Sequence, residues 1–214
     1  MRGAFIVVEG PEGAGKTTLA TGLARRLRDA GLAVREVREP GGTPLAEAAR
    51  RAALDPVLAA TPVAELFLML AARADHVSKV IAPALAAGDI IVSDRFELST
   101  EAYQIAGRQL PRDAVLEANR IATGGLTPDL TLVVDVPVDV GIARQRNAGK
   151  AADRIERDGR GLHERVARAF ERAMGPSLVH LDGTRRPEDV EQAAWRVVCE
   201  RLGEQFPRLR VQPA

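Results

Sequence analysis

Cysteine is almost absent from this sequence. A single thiol, Cys199, in 214 residues can close no internal disulfide and build no thiolate metal cage. Aromatic residues are also scarce: five Phe, one Trp and one Tyr are too few for a platform that stacks single-stranded nucleic acid. Neither sign of charge is in excess. Thirty Lys+Arg against 29 Asp+Glu leave a formal charge of +1, so the balance points to neither a nucleic-acid nor a membrane partner. No apolar run approaches the length of a bilayer span. The N-terminal run from Ala4 to Val8 ends in Glu9, not in a small-residue cleavage site, so no signal peptide is expected and a cytoplasmic location is. Lysine is rare too. Lys16, Lys79 and Lys150 are the only three, which makes any motif that requires lysine hard to meet by accident.

What is present has a regular order. The length suits one domain with a sizeable core. Short apolar runs at 4–8, 33–37, 90–92, 130–135 and 178–181 read as strands. Helical periodicity lies between them, at about 17–30, 45–54, 63–86, 99–105, 112–122, 138–147, up to Met174, and 187–202. Pro83 should bend the end of the longest helix. The stretch from Gly149 to Gly161 is polar, rich in Arg and Asp, and has no core pattern. Strands alternating with helices predict one α/β domain over 1–214, with a five-stranded parallel sheet covered by helices on both faces.

Gly10-Pro11-Glu12-Gly13-Ala14-Gly15-Lys16-Thr17 satisfies G-x-x-x-x-G-K-[ST] and lies between the first strand and the first helix, where the mechanism of that motif requires it. Its glycines let backbone N–H groups turn around phosphate oxygens, and the helix N-terminus adds partial positive charge. Lys16 would face the β- and γ-phosphates, Thr17 would bind Mg²⁺, and Thr18 continues the cradle. The expected ligand is ATP or GTP. No N-K-x-D sequence reads guanine, and neither length nor charge suits a motor on a polymer track, which leaves a small kinase with a second, phosphorylated acceptor. Asp94-Arg95-Phe96 comes after the 90–92 strand, where open α/β sheets bind ligands. Asp94 can orient the metal and Arg95 can bridge phosphates. Asp135 ends the next strand in the same way, and local pattern leaves the choice open, with Asp94 preferred for the residues that come after it in the chain.

With these pieces in place the chain resembles the thymidylate (dTMP) kinase family over essentially its whole length. The resemblance is carried by the cradle from Glu9 to Thr18, Arg38-Glu39-Pro40-Gly41-Gly42-Thr43, Ala71-Ala72-Arg73, the run from Asp94 to Gln104, Pro128-Asp129-Leu130-Thr131-Leu132 and Asp153-Arg154-Ile155-Glu156. It implies a P-loop kinase fold that transfers a phosphoryl group from ATP to dTMP with Mg²⁺. It implies that Arg95 holds the acceptor phosphate with Arg50 and Arg38 nearby, and that Glu12 faces the 3′-hydroxyl. Arg73 would then donate to a thymine carbonyl, Gln104 with Ser99 or Thr100 would meet the base edge, and Tyr103 would crowd a 2′-hydroxyl. The family usually stacks a phenylalanine on thymine one turn before the Arg73 position. Met69 stands there in this chain and Phe67 lies two residues back; Met69 is the expected substitute.

The cradle itself holds no basic residue between Gly10 and Gly15, whereas Arg144, Arg146, Lys150, Arg154 and Arg157 cluster in the polar stretch. A mobile lid over 144–157 is therefore expected to bring a guanidinium to the transferred phosphoryl, with Arg146 and Arg154 as candidates and Arg144 against adenine. The residues from Asp182 to Pro187 match where the family holds adenine. His76, His163 and His180 show no metal-ligand spacing, and Cys199 reads as a packed thiol. The resemblance also implies a homodimer, for which the Ala-rich faces at 45–54 and 63–86 could serve.

Overall fold

The computed structural model describes residues 2–147, 154–155 and 158–210. Lys150, Asp153, Glu156 and Arg157, singled out above, lie outside the described residues. Five strands, β1 (Phe5–Glu9), β2 (Val34–Arg38), β3 (Ile90–Asp94), β4 (Leu130–Asp135) and β5 (Leu178–Asp182), pair in parallel in the order β2-β3-β1-β4-β5. Composition explains the order. Every residue of β1 is buried, as a central strand covered on both faces requires, whereas β2 and β5 put polar side chains at the two edges.

Helices α1 (Lys16–Asp29) and α9 (Pro187–Leu202) cover one face, where Leu19, Leu23 and Leu27 pack with Ile6, Val8 and the fully buried Trp195. The other face carries α2 (Pro44–Leu54), α3 (Pro62–His76), α4 (Ala82–Ala87), α5 (Glu97–Thr100), α6 (Arg112–Thr123), α7 (Val138–Asn147) and α8 (Arg160–Glu171). Phe5, Val7 and Phe96 begin that second core, and Tyr103, Val133 and Phe170 continue it. Two of the expected helices differ in detail. The one foreseen over 63–86 is interrupted by a π-helical turn at Val77–Ile81, just before Pro83, which has no N–H to give and whose ring crowds the carbonyl four residues back. The one foreseen from Ser99 starts at Glu97 and widens into a π-helical segment, Glu101–Gly107, which carries Tyr103 and Gln104.

The topology makes the site. The chain leaves β1 towards one edge of the sheet to reach β2, and leaves β3 towards the other edge to reach β4. The carboxyl ends of these two adjacent strands therefore open a crevice between them, the place where open α/β sheets bind ligands. The loop 10–15 and the pair Asp94-Arg95 meet there.

Candidate active site

The loop 10–15 wraps the start of α1 with Gly10, Gly13 and Gly15 all at positive φ. Gly13 is the least replaceable, because at φ 73° a Cβ would collide with the carbonyl of Gly141 in α7. Lys16 is buried and donates from Nζ to the loop's own Pro11 carbonyl at 2.7 Å. Burial, and after it the Arg95 guanidinium, pushes its ammonium down to about 8. Thr17 and Thr18 are exposed at the first turn. Thr17 Oγ1 donates to Asp94 Oδ2 at 2.5 Å, so a hydroxyl and a carboxylate, both hard oxygen donors, stand together at the crevice. Among the described residues no group of three or more His, Cys, Asp or Glu side chains could hold a metal. A cation on Thr17 and Asp94 would depend on ligand oxygens, as Mg²⁺ at phosphate sites does. Asp135 is occupied elsewhere: its Oδ2 lies 2.7 Å from Nδ1 of His180, whose Nε2 reaches the Ala173 carbonyl.

Arg95 stands at the centre of the crevice in a left-handed backbone conformation, φ 75°, rare for a residue with a side chain. The strain is held by neighbours: Arg95 N donates to the Val8 carbonyl at 3.0 Å, and Ser93 Oγ donates to the Arg95 carbonyl at 2.7 Å. Its guanidinium donates to the Glu12 carboxylate, to Ser99 Oγ at 3.0 Å and to the Tyr103 hydroxyl at 3.3 Å, and it lies 5.2 Å from the centre of the Tyr103 ring. The Tyr103 hydroxyl donates in turn to Glu12 at 3.0 Å. Burial alone would raise Glu12, but Arg95 and then Lys16 outweigh it and hold the carboxyl down at about 2. Below this cluster Glu9, fully buried, accepts from Phe96 N, Ser99 N and Ser99 Oγ at 2.6–3.0 Å and fixes the turn that carries Arg95.

Beside Arg95 a pocket is lined by Glu12, Arg50, Met69, Arg73, Ser99, Thr100, Tyr103 and Gln104, with Leu54 and Ile155 closing it. Arg73 is held firmly. It donates to Glu39 at 2.7 Å, to Thr100 and Asn119 at 2.6 Å, and to the Phe96 carbonyl at 2.8 Å. Four of the five guanidinium N–H groups are thus spent inside the protein, leaving one for a ligand. Arg50 donates to the Pro40 carbonyl at 3.0 Å from the same wall. A larger cavity, about 650 Å³, opens on the other side of Phe96 between α5 and α8, away from the cradle, and includes none of the residues singled out above as ligands.

Other expected residues stand elsewhere. Phe67 is 61% exposed and faces away, whereas Met69, one turn before Arg73, lines the pocket. Arg38 is half exposed on its side chain. It pairs with Glu47 at 2.8 Å and does not line the pocket, because β2 is an edge strand and directs it outward. Arg154 is paired inside the protein. Its guanidinium donates to Glu65 and to the Ala53 carbonyl at 2.9 Å, next to Ile155, since a buried carboxylate outcompetes water for it. Arg144 reaches the Gly13 carbonyl at 3.5 Å, and Arg146 is exposed in the last turn of α7. Cys199 packs against the first core, and burial pushes its thiol up. Glu39, which lines the pocket, and Glu65 and Asn119, which support it from behind, were not foreseen. Glu65 did carry a signal, because it lies one turn before Met69 and two before Arg73 on α3.

A family model described as Thymidylate kinase matches residues 8–194. A thymidylate kinase of Synechococcus is 46% identical over 209 residues, 95% of this chain and 99% of the relative. One of Thermomicrobium roseum is 46% identical over 92% of this chain and 94% of its own. One of Pseudomonas fluorescens is 50% identical over 79% of this chain and 81% of its own.

Proposed function

Because the chain belongs to the thymidylate kinase family, and so is a phosphotransferase acting on dTMP, we propose that it moves the γ-phosphoryl of ATP directly to the phosphate of dTMP through the residues of this crevice. The observation that carries the assignment is the junction of two anion sites: the cradle with Lys16 and Thr17 meets Arg95 and its pocket across one hydrogen bond, Thr17 to Asp94. Direct transfer needs donor and acceptor phosphates in line with positive charge around them, and little else, since the acceptor phosphate is already an adequate nucleophile.

In this reading the N–H groups of 10–18 and Lys16 hold the triphosphate. Thr17 and Asp94 hold Mg²⁺, which supplies charge neutralisation of the phosphate oxygens. Arg95 takes the acceptor phosphate, with Arg50 beside it. Glu12, kept ionised by Arg95, accepts from the 3′-hydroxyl, and Tyr103 closes the space a 2′-hydroxyl would need. Met69 packs on the thymine ring, and the one unspent N–H of Arg73 donates to a thymine carbonyl. Arg144 lies on the donor side. Arg146, exposed two residues further on, is the guanidinium that approaches the transferred group. We treat 1–214 as one kinase domain in the cytoplasm; no helix among the described residues is long and apolar enough to cross a membrane. We also assign a homodimer, supported by the exposed Leu45, Val63 and Phe67 on α2 and α3.

The test is ADP release with dTMP, dUMP, dCMP, dGMP and thymidine offered side by side. Release that depends on both ATP and dTMP is expected; ATP turnover indifferent to dTMP would reject the reading. Within the same assay Met69→Ala should raise the KM for dTMP several-fold, about what one lost apolar contact surface supplies, with kcat little changed. Phe67→Ala should leave that KM within about twofold, since surface changes of this kind are near neutral. The opposite ranking would return the base contact to Phe67.

A further inference from the structure

Glu65 never reaches the pocket, yet it is fully buried directly behind it. Its Oε1 accepts from Gln104 Nε2 at 2.8 Å and from Arg108 Nε at 3.1 Å, and its Oε2 accepts from Arg108 at 2.7 Å and from Arg154. Arg108 is itself steadied by Asp158 at 2.6 Å. Burial alone would raise the Glu65 carboxyl, but the hydrogen bonds from Arg108 and Arg154 outweigh it and keep it below the usual carboxylate range.

An ionised carboxylate only accepts hydrogen bonds, while a glutamine amide has a donor end and an acceptor end. Facing Glu65, Gln104 can present only its NH₂ group, and turning the amide over would set two oxygens against each other. The carbonyl oxygen of Gln104 is thereby directed away from Glu65. It accepts no hydrogen bond from the described residues, at a side chain 3% exposed that lines the pocket. An acceptor at the pocket with no protein partner is open to a donor from the ligand.

Building on the dTMP assignment above, we infer that Glu65 is the positioning residue that selects thymine over cytosine. It holds the Gln104 amide with its carbonyl towards the base. Thymine offers N3–H to that oxygen, whereas cytosine offers only the N3 lone pair, and acceptor meets acceptor. Arg73 acts in the same sense at the neighbouring position, where its N–H suits a carbonyl and opposes an amino group. Loss of Glu65 therefore removes part of the discrimination and leaves part.

Two variants test this by titration calorimetry on the full chain with dTMP, dUMP and dCMP. In Glu65→Gln the new amide can donate or accept, so Gln104 is free to turn over. The ratio of dTMP to dCMP affinity is expected to fall by about tenfold, the worth of one polar mismatch. The ratio of dTMP to dUMP should stay within about twofold, because uracil presents the same N3–H and carbonyls. A purely structural role would weaken all three ligands alike. Glu65→Asp keeps the charge for Arg108 and Arg154 but withdraws the acceptor by one methylene. It should shift the first ratio in the same direction to a smaller extent, and it decides the matter if Glu65→Gln does not fold. An unchanged dTMP:dCMP ratio in the folded variants, or a parallel fall for all three nucleotides, overturns the inference. Failure of the wild-type chain to bind dTMP at all would instead count against the assigned substrate.

Discussion

Replacing Lys16 by Ala is expected to lower kcat by about three orders of magnitude, the scale for removing a preorganised charge from a developing anion. The protein should remain folded. Lys16 is buried against Pro11, and its pKa of about 8 means that the fold disfavours its charged form: burial and Arg95 both oppose it. A lysine whose folded pKa lies below its unfolded value of 10.5 lowers stability while it is protonated, and that cost fades as pH rises through 8 towards 10.5. Thermal unfolding of Lys16→Ala at pH 7 should therefore occur at the wild-type temperature or slightly above. Polyphosphate should restore the ammonium, so ATP binding to the wild-type chain should take up a proton above pH 8 and weaken as pH rises. Calorimetry in buffers of different ionisation enthalpy reads this uptake directly. Wild-type kcat in the variant, or no proton uptake by the wild type, would contradict the role.

Arg95→Met should lower kcat/KM for dTMP by about three to four orders of magnitude, since it removes a bidentate donor to the acceptor phosphate from a site largely closed to water. The KM for ATP should change by no more than about threefold, because the cradle is built from 10–18 alone. Added guanidinium ion should restore part of the rate. The substitution also frees Glu12, which owes its value of about 2 first of all to Arg95 acting against burial. A carboxyl whose folded pKa is depressed contributes stability that is present above its ordinary 4.5 and is lost as pH falls towards 2. Wild-type stability should decline across that window, and the decline should be much shallower in Arg95→Met. An equal loss for ATP and dTMP, or an acid limb of wild-type steepness, would place Arg95 outside the acceptor site.

Several features are legible in the sequence because their causes are local. The cradle depends on glycine backbones at positive φ and on the first turn of a helix, all within 10–18. The strands announce themselves by contiguous apolar runs, and β1 by burial on both faces. Pro83 marked a disturbance in the long helix, although not its form as a π-helical turn. The preference for Met69 over Phe67 came from the family resemblance, which puts the base-stacking residue one turn before Arg73; helical spacing from that point also locates Glu65, one turn earlier on the same face of α3.

Other features had no local signature. Asp94 and Asp135 both end strands, and only the sheet order puts one beside Thr17 and the other beside His180. As guanidiniums in a row of letters, Arg146 and Arg154 were equal candidates for the transferred phosphoryl, and Arg38 a neighbour of the acceptor phosphate. Folding set Arg154 against Glu65, 89 residues away, and turned Arg38 out on an edge strand. By itself, then, the sequence determined the phosphate cradle and the alternation of strands and helices, because short-range backbone sterics and periodicity act on neighbouring residues; the acceptor-pocket residues were expected only through the family resemblance. Only the tertiary structure decided which charged groups are paired and which are left for a ligand, because an ion pair is chosen by proximity and desolvation in space, to which separation along the chain is indifferent.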